Sequence, residues 1–110
     1  MFIVVSRYMV SEGHDSKEVA QLLQLLRKDA KVSMGTELGC LEFSVYQEKK
    51  DPRAILLYER YTSEEAFKKH QQTPQFKDIF KKQVEPRLAM TFSAQVSTRS
   101  DEDGDPKPGG

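Results

Sequence analysis

Residues 53–88 read RAILLYERYTSEEAFKKHQQTPQFKDIFKKQVEPRL, and the fold follows from how this stretch divides. Arg53 to Tyr61 carries apolar or aromatic residues on both faces of a period-two pattern: Ile55, Leu57 and Tyr61 on one side, Ala54, Leu56 and Tyr58 on the other. A strand of that kind needs cover on both sides. The next segment is an amphipathic helix interrupted at Thr73-Pro74, with Thr62 and Glu65 in the spacing of a capping box at its start. Proline fits the first position of a new helical segment, where its missing N–H has no partner to lose, and Thr73 is a good cap. The break therefore predicts a bend, not a termination. His70 falls one turn after Phe67, so a polar ring is pushed towards an apolar face, and it is the candidate chemical group.

Downstream, Phe76, Ile79, Phe80 and Val84 continue the apolar stripe until Pro86, and Ala89 to Val96 reads as a last strand. Upstream, Phe2 to Val10 is rich in β-branched and aromatic residues and predicts a first strand. Asp15 with Glu18 marks the start of a helix of about twenty residues whose stripe is Val19, Leu22, Leu23, Leu26 and Ala30. Arg27, Lys28 and Lys31 suit its negative end. Gly35 and Gly39 bracket a turn, and Cys40 to Gln47 alternates as a strand, with Leu41, Phe43 and Val45 on one face. Glu48 to Pro52 is a hairpin loop. The order is β-α-β-β-α-β, an α+β ferredoxin-like arrangement with an antiparallel four-stranded sheet and two helices on one face. The other face is left bare, so a second copy of the sheet is the expected cover and a homodimer the expected assembly.

Residues 1–97 are expected to form one domain and residues 98–110 a disordered tail, acidic, rich in glycine and proline and without apolar residues. Lysine plus arginine and aspartate plus glutamate balance at 17 each; removing the tail's four acids and two bases leaves 15 against 13. So slight an excess gives no nucleic-acid footprint. A single cysteine, Cys40, excludes an intrachain disulfide and reads as a small buried apolar residue. The N-terminus lacks a basic leader region, and no apolar run approaches the ~20 residues that span a bilayer. The expectation is a soluble cytoplasmic protein without a membrane partner. Two histidines without a cysteine cluster argue against a metal site, and His14, in a loop beside a helix cap, is read as doing nothing chemical.

The G-C-L-x-F strand, the run LLYERY, two glutamates with Ala-Phe, and His70 followed by Q-x-T-P-x-F together resemble the antibiotic biosynthesis monooxygenase family of dimeric α+β barrels. The resemblance covers roughly residues 2–96, with its specific part in 38–88. It implies a pocket between sheet and helices with the histidine matching His70 pointing in. Relatives include quinol monooxygenases without cofactor, enzymes of a phosphorylated autoinducer, and haem-degrading monooxygenases. Oxygen insertion without metal or flavin needs a phenol or hydroquinone whose anion can pass an electron to O2, hence a base, an apolar pocket and exclusion of water. Imidazole is the side chain that changes protonation near neutral pH.

The expectation is thus a cofactor-independent monooxygenase of a small aromatic or quinol, with His70 catalytic and Tyr58, Tyr61, Phe43, Phe76, Phe80 and Glu59 around the substrate. Phe67 and Ile79 are assigned to core. Glu59 either orients a ring in the pocket or, as the preferred reading, makes a salt bridge at the dimer seam. A non-catalytic barrel binding a small hydrophobic ligand stays open, as does an isomerase of a phosphorylated signal using Arg7, Arg53 or Arg60. The haem-degrading branch, as the resemblance implies, uses a first-strand asparagine, a second-helix tryptophan and an axial histidine. This chain has no asparagine and no tryptophan, and Phe80 stands about where that histidine would be. Haem degradation is excluded on those residues.

Overall fold

A computed structural model describes residues 1–97; the tail read at 98–110 lies outside the described residues. The chain runs β1 (Phe2–Val10), α1 (Ser16–Thr36), β2 (Cys40–Gln47), β3 (Ala54–Tyr61), α2 (Glu64–His70), α3 (Phe76–Val84), a single 3₁₀ turn (Glu85–Arg87) and β4 (Leu88–Ser97). The four strands form one antiparallel sheet in the order β2-β3-β1-β4. This is the ferredoxin-like α+β arrangement.

The Asp15 carboxylate accepts the Glu18 backbone N–H at 2.9 Å, and the buried stripe of α1 comprises Val19, Leu22, Leu23, Leu26 and Ala30, extended by Asp29 and Ser33. The helix runs through Gly35 to Thr36, so its last turn carries no basic residue, and Arg27, Lys28 and Lys31 lie too far from its end to offset the dipole as expected. Ser63, not Thr62, caps α2: its hydroxyl accepts the Ala66 N–H at 3.1 Å. Thr73 holds the bend, donating to the His70 carbonyl at 2.7 Å and accepting the Phe76 N–H at 3.3 Å. α3 is a π-helix, wider than an α-helix, and the Glu85 N–H closes on the Phe80 carbonyl five residues back.

The strand faces differ from expectation at one place. Cys40 pairs with Tyr61 and Glu42 with Arg60, leaving Leu41 as an extra residue in a bulge. Cys40 and Phe43 are therefore both buried, while Leu41 turns out to the exposed side. Where β2 begins, Gly39 abuts the start of α2: a Cβ placed there would lie 2.5 Å from Ala66 Cβ and 3.1 Å from Thr62 Oγ1. Gly39→Ala is expected to cost about 1–3 kcal/mol, since α2 must move off the sheet to admit one methyl group. Urea unfolding checks this; an unchanged midpoint would show that α2 yields freely.

All three helical segments cover one face of the sheet, where Val4, Leu22, Leu26, Ile55, Leu57 and Val84 form the centre of the core. On the other face Val5, Tyr46, Met90, Phe92 and Val96 stand exposed beside the half-buried Ile3, Leu56 and Tyr58. Arg7–Glu48 and Arg60–Glu42 pairs, at 2.9 and 2.8 Å, flank this apolar field. No helix of the described residues is long and apolar enough to cross a membrane.

Candidate functional site

Between the sheet and the helices lies a cavity of about 220 Å³. Its floor is Val4, Ser6 and Tyr8 of β1 with Phe43, Leu57 and Glu59; Leu26 and Asp29 of α1 form one side. Phe67, His70, Phe76 and Phe80 roof it, and the solvent-exposed Thr91, Ser93 and Gln95 of β4 form its open rim. The last three are the inward residues of β4 by register, opposite Tyr8, Ser6 and Val4. Besides the backbone ladder, a side-chain hydrogen bond, Ser6 Oγ to Ser93 Oγ at 3.1 Å, ties that rim to the floor.

His70 is 1% exposed. Four rings enclose its imidazole: Phe76 at 5.4 Å between centroids, Tyr61 at 5.6 Å, Phe43 at 5.7 Å and Phe67 at 6.4 Å. Nδ1 lies 3.0 and 3.1 Å from the two carboxylate oxygens of Glu37, with the Ser33 hydroxyl at 3.4 Å. A carboxylate only accepts, so Nδ1 carries a proton and donates it towards Glu37. Nε2 has no hydrogen-bond partner among the described residues. Since no enclosed side-chain nitrogen or oxygen there is left unpaired, Nε2 faces the cavity space. A base aimed into a hollow with an aromatic roof and a polar rim, its far nitrogen held by a carboxylate, can take a proton from a hydroxyl placed there.

Glu37 is itself held. Gln75 donates to its Oε2 at 2.7 Å and to the Ser33 hydroxyl at 3.3 Å, while Ser33 donates to Asp29 at 3.1 Å. Burial raises the Asp29 carboxyl above its ordinary range, partly offset by His70 and Ser33.

Glu59 stands inside, not at a seam, which corrects the preferred reading of its sequence context. It is 5% exposed and accepts the Tyr61 hydroxyl at 2.6 Å. Burial pushes its carboxyl up to about 7 against the opposing pull of the Tyr61 hydrogen bond and His70. The Tyr61 and Tyr8 phenols are likewise driven upward by burial, so both remain protonated donors. Burial pushes the Cys40 thiol up to about 12, leaving it inert.

Of the residues predicted around the substrate, Phe43, Phe76, Phe80 and Glu59 line the cavity with His70. Tyr61 stands behind, against the imidazole and Glu59. Tyr58 does not line it: β3 pairs it with Val5 and Ser44 on the outer face. Phe67, read as core, is both core and roof. Sequence reasoning missed Asp29, Ser33 and Glu37. A signal existed, because Asp29 and Ser33 continue the stripe of Leu22 and Leu26 at positions where apolar residues belong.

Among the described residues no lysine or arginine lines the cavity. The three arginines considered for an anionic substrate are engaged elsewhere: Arg7 with Glu48, Arg60 with Glu42, and Arg53 with the carbonyls of Ser11, Glu12 and His14. Among the described residues no group of three or more His, Cys, Asp or Glu is placed to hold a metal ion.

Comparison with known proteins bears on this geometry. The crystal structure of an antibiotic biosynthesis monooxygenase is similar with a TM-score of 0.77 at 16% identity, over 90% of this chain and 99% of that one. A conserved protein from Methanosarcina mazei Go1 gives 0.76 at 22%, over 89% and 92%. A Mycobacterium tuberculosis protein, Rv0793, gives 0.74 at 21%, over 90% and 95%. At these identities the likeness shows the fold. A comparison with curated proteins returns no match. The family model described as antibiotic biosynthesis monooxygenase matches residues 1–82, three quarters of the sequence, and the chain therefore belongs to that family.

Proposed function

We propose that the protein is a cofactor-independent monooxygenase of a single-ring hydroquinone, with His70 as the base. The observation that carries this is the buried imidazole whose Nδ1 is tied to Glu37 and whose Nε2 faces an aromatic-walled hollow. A hollow of about 150 Å³ takes one benzene, so about 220 Å³ suits one substituted ring and not a fused polycycle. A hydroquinone and one O2 contain the atoms and electrons of a hydroxyquinone and one water, so the substrate supplies every electron.

His70 Nε2 removes one hydroxyl proton, and the resulting anion, held away from water, passes electrons to O2. One oxygen atom bonds to a ring carbon, the O–O bond breaks, and the second oxygen leaves as water with the two hydroxyl protons. The ring hydrogen of the attacked carbon ends on the new hydroxyl. Glu59, whose carboxyl burial raises to about 7, lends a proton to the departing oxygen and recovers it from the substrate side. The absence of cations from the cavity walls disfavours a phosphorylated substrate. An oxygen electrode with a panel of mono- and polycyclic hydroquinones tests the reading: uptake with single-ring members supports it. A protein inert to all of them is instead a ligand-binding barrel.

The assembly we infer is a homodimer that buries the outer sheet face through Val5, Phe92 and their neighbours. Sedimentation should then give twice the 12.6 kDa of one chain. Val5→Glu, which sets a charge in the middle of the joined faces, should leave the single-chain mass. A wild-type monomer would refute the dimer.

A further inference from the structure

The buried network around His70 reaches the surface at Glu37 and Gln75, of which Glu37 alone is ionisable. Glu37 follows the last turn of α1; its side chain is 14% exposed, against 2% for that of His70. It lines a second hollow, about 430 Å³, formed with Leu38, Gly39, Thr62, Ala66, Lys69 and Thr73. That groove lies on the far side of the imidazole from the cavity, since Glu37 meets Nδ1 while Nε2 faces the cavity.

An aromatic ring seated in the cavity would lie over Nε2 and leave Nδ1 on the groove side. Nδ1 and the Glu37 carboxylate then give a proton a second way between His70 and bulk water.

We infer that Glu37 is a proton port, a back route that exchanges His70 with solvent through the groove while substrate closes the front. The inference rests on His70 acting as a base. In the forward direction the hydroxyl proton arrives on Nε2 and the Nδ1 proton moves to Glu37 and on to groove water. In the return direction Nε2 gives its proton to the reduced oxygen and Nδ1 is reloaded through Glu37, so no net proton is gained or lost. Gln75 and Ser33, which hold the carboxylate and the ring nitrogen in line, are positioning residues. Glu37 belongs with them in touching no substrate, and differs in carrying the proton.

The test reads exchange, not turnover. Nitrogen-15 NMR of the full chain follows exchange of the His70 Nδ1–H with water, alone and saturated with resorcinol, a dihydroxybenzene that cannot form a simple quinone. Glu37→Gln keeps an acceptor for Nδ1 and loses the ionisable group; its exchange should slow by about tenfold or more, with and without resorcinol. Glu37→Ala should slow likewise and be restored by formate diffusing into the groove, which a merely structural role would not permit. Exchange as fast in both variants as in wild type overturns the port, as does failure of formate to restore Glu37→Ala. A wild-type protein that oxidises no hydroquinone would sink the enzymatic reading while leaving the port to stand on its exchange rates.

Discussion

His70→Asn should lose about 10²–10⁴-fold in kcat/KM for hydroquinone oxidation while remaining folded. The choice of variant matters because the ring is enclosed on all sides. Alanine would remove four aromatic contacts and open a void worth a few kcal/mol, so lost activity would be confounded with lost structure. Asparagine puts an amide N–H where Nδ1–H stands, keeps the hydrogen bond to Glu37, and removes only the nitrogen that faces the cavity. Oxygen uptake and thermal unfolding on the same preparation separate the two effects. Activity within about threefold of wild type would mean that the imidazole serves the architecture and not the chemistry.

A second large effect belongs to Glu59. Its carboxyl ordinarily titrates at 4.5 and is held at about 7 in the folded chain. Between these values the folded state keeps a proton that the unfolded chain has released, so stability is full below 4.5 and declines as pH rises through about 7. At 1.36 kcal/mol per pH unit the decline attributable to this one group is about 3 kcal/mol. Asp29, raised by the same cause, acts in the same direction and does not mask it. Glu59→Gln retains an acceptor for the Tyr61 hydroxyl and removes the titration. Urea unfolding of both proteins from pH 4.5 to 8 should show wild type losing about 3 kcal/mol relative to the variant. Parallel curves would mean that water reaches Glu59 and that it carries its charge freely.

The element order is legible in the sequence because each element leaves its own mark: β-branched and aromatic residues in β1, alternation in β2, an apolar run on both faces in β3, three- and four-residue spacing in α1, a cap at Asp15. The two faces of β3 are harder. When both sides of a strand are apolar, alternation cannot say which side meets the helices, so the sequence reading puts Tyr58 around the substrate although it lies with Val5 on the outer face. Alternation does hold the answer for Glu59, which shares its parity with Leu57 and Tyr61 and so stands inside with them. The bulge at Leu41 has no local signature in its residue types and shows only when β2 is set against β3. The carboxylate behind His70 is hidden for another reason. Glu37 and Gln75 come from 33 residues before and five after the histidine, and only the packed fold brings the three together.

β4 is an edge strand whose inward residues wall the cavity with hydroxyls and an amide, and whose outward residues form the greasiest part of the exposed sheet. Neighbouring positions on one short ribbon thus serve opposite solvents. Sliding it by a single step against β1 would turn methionine and phenylalanine into the hollow and threonine and serine out to the far face of the sheet. The reading frame of this ribbon, more than its composition, puts its polar side chains on the cavity and its apolar ones on the opposite face.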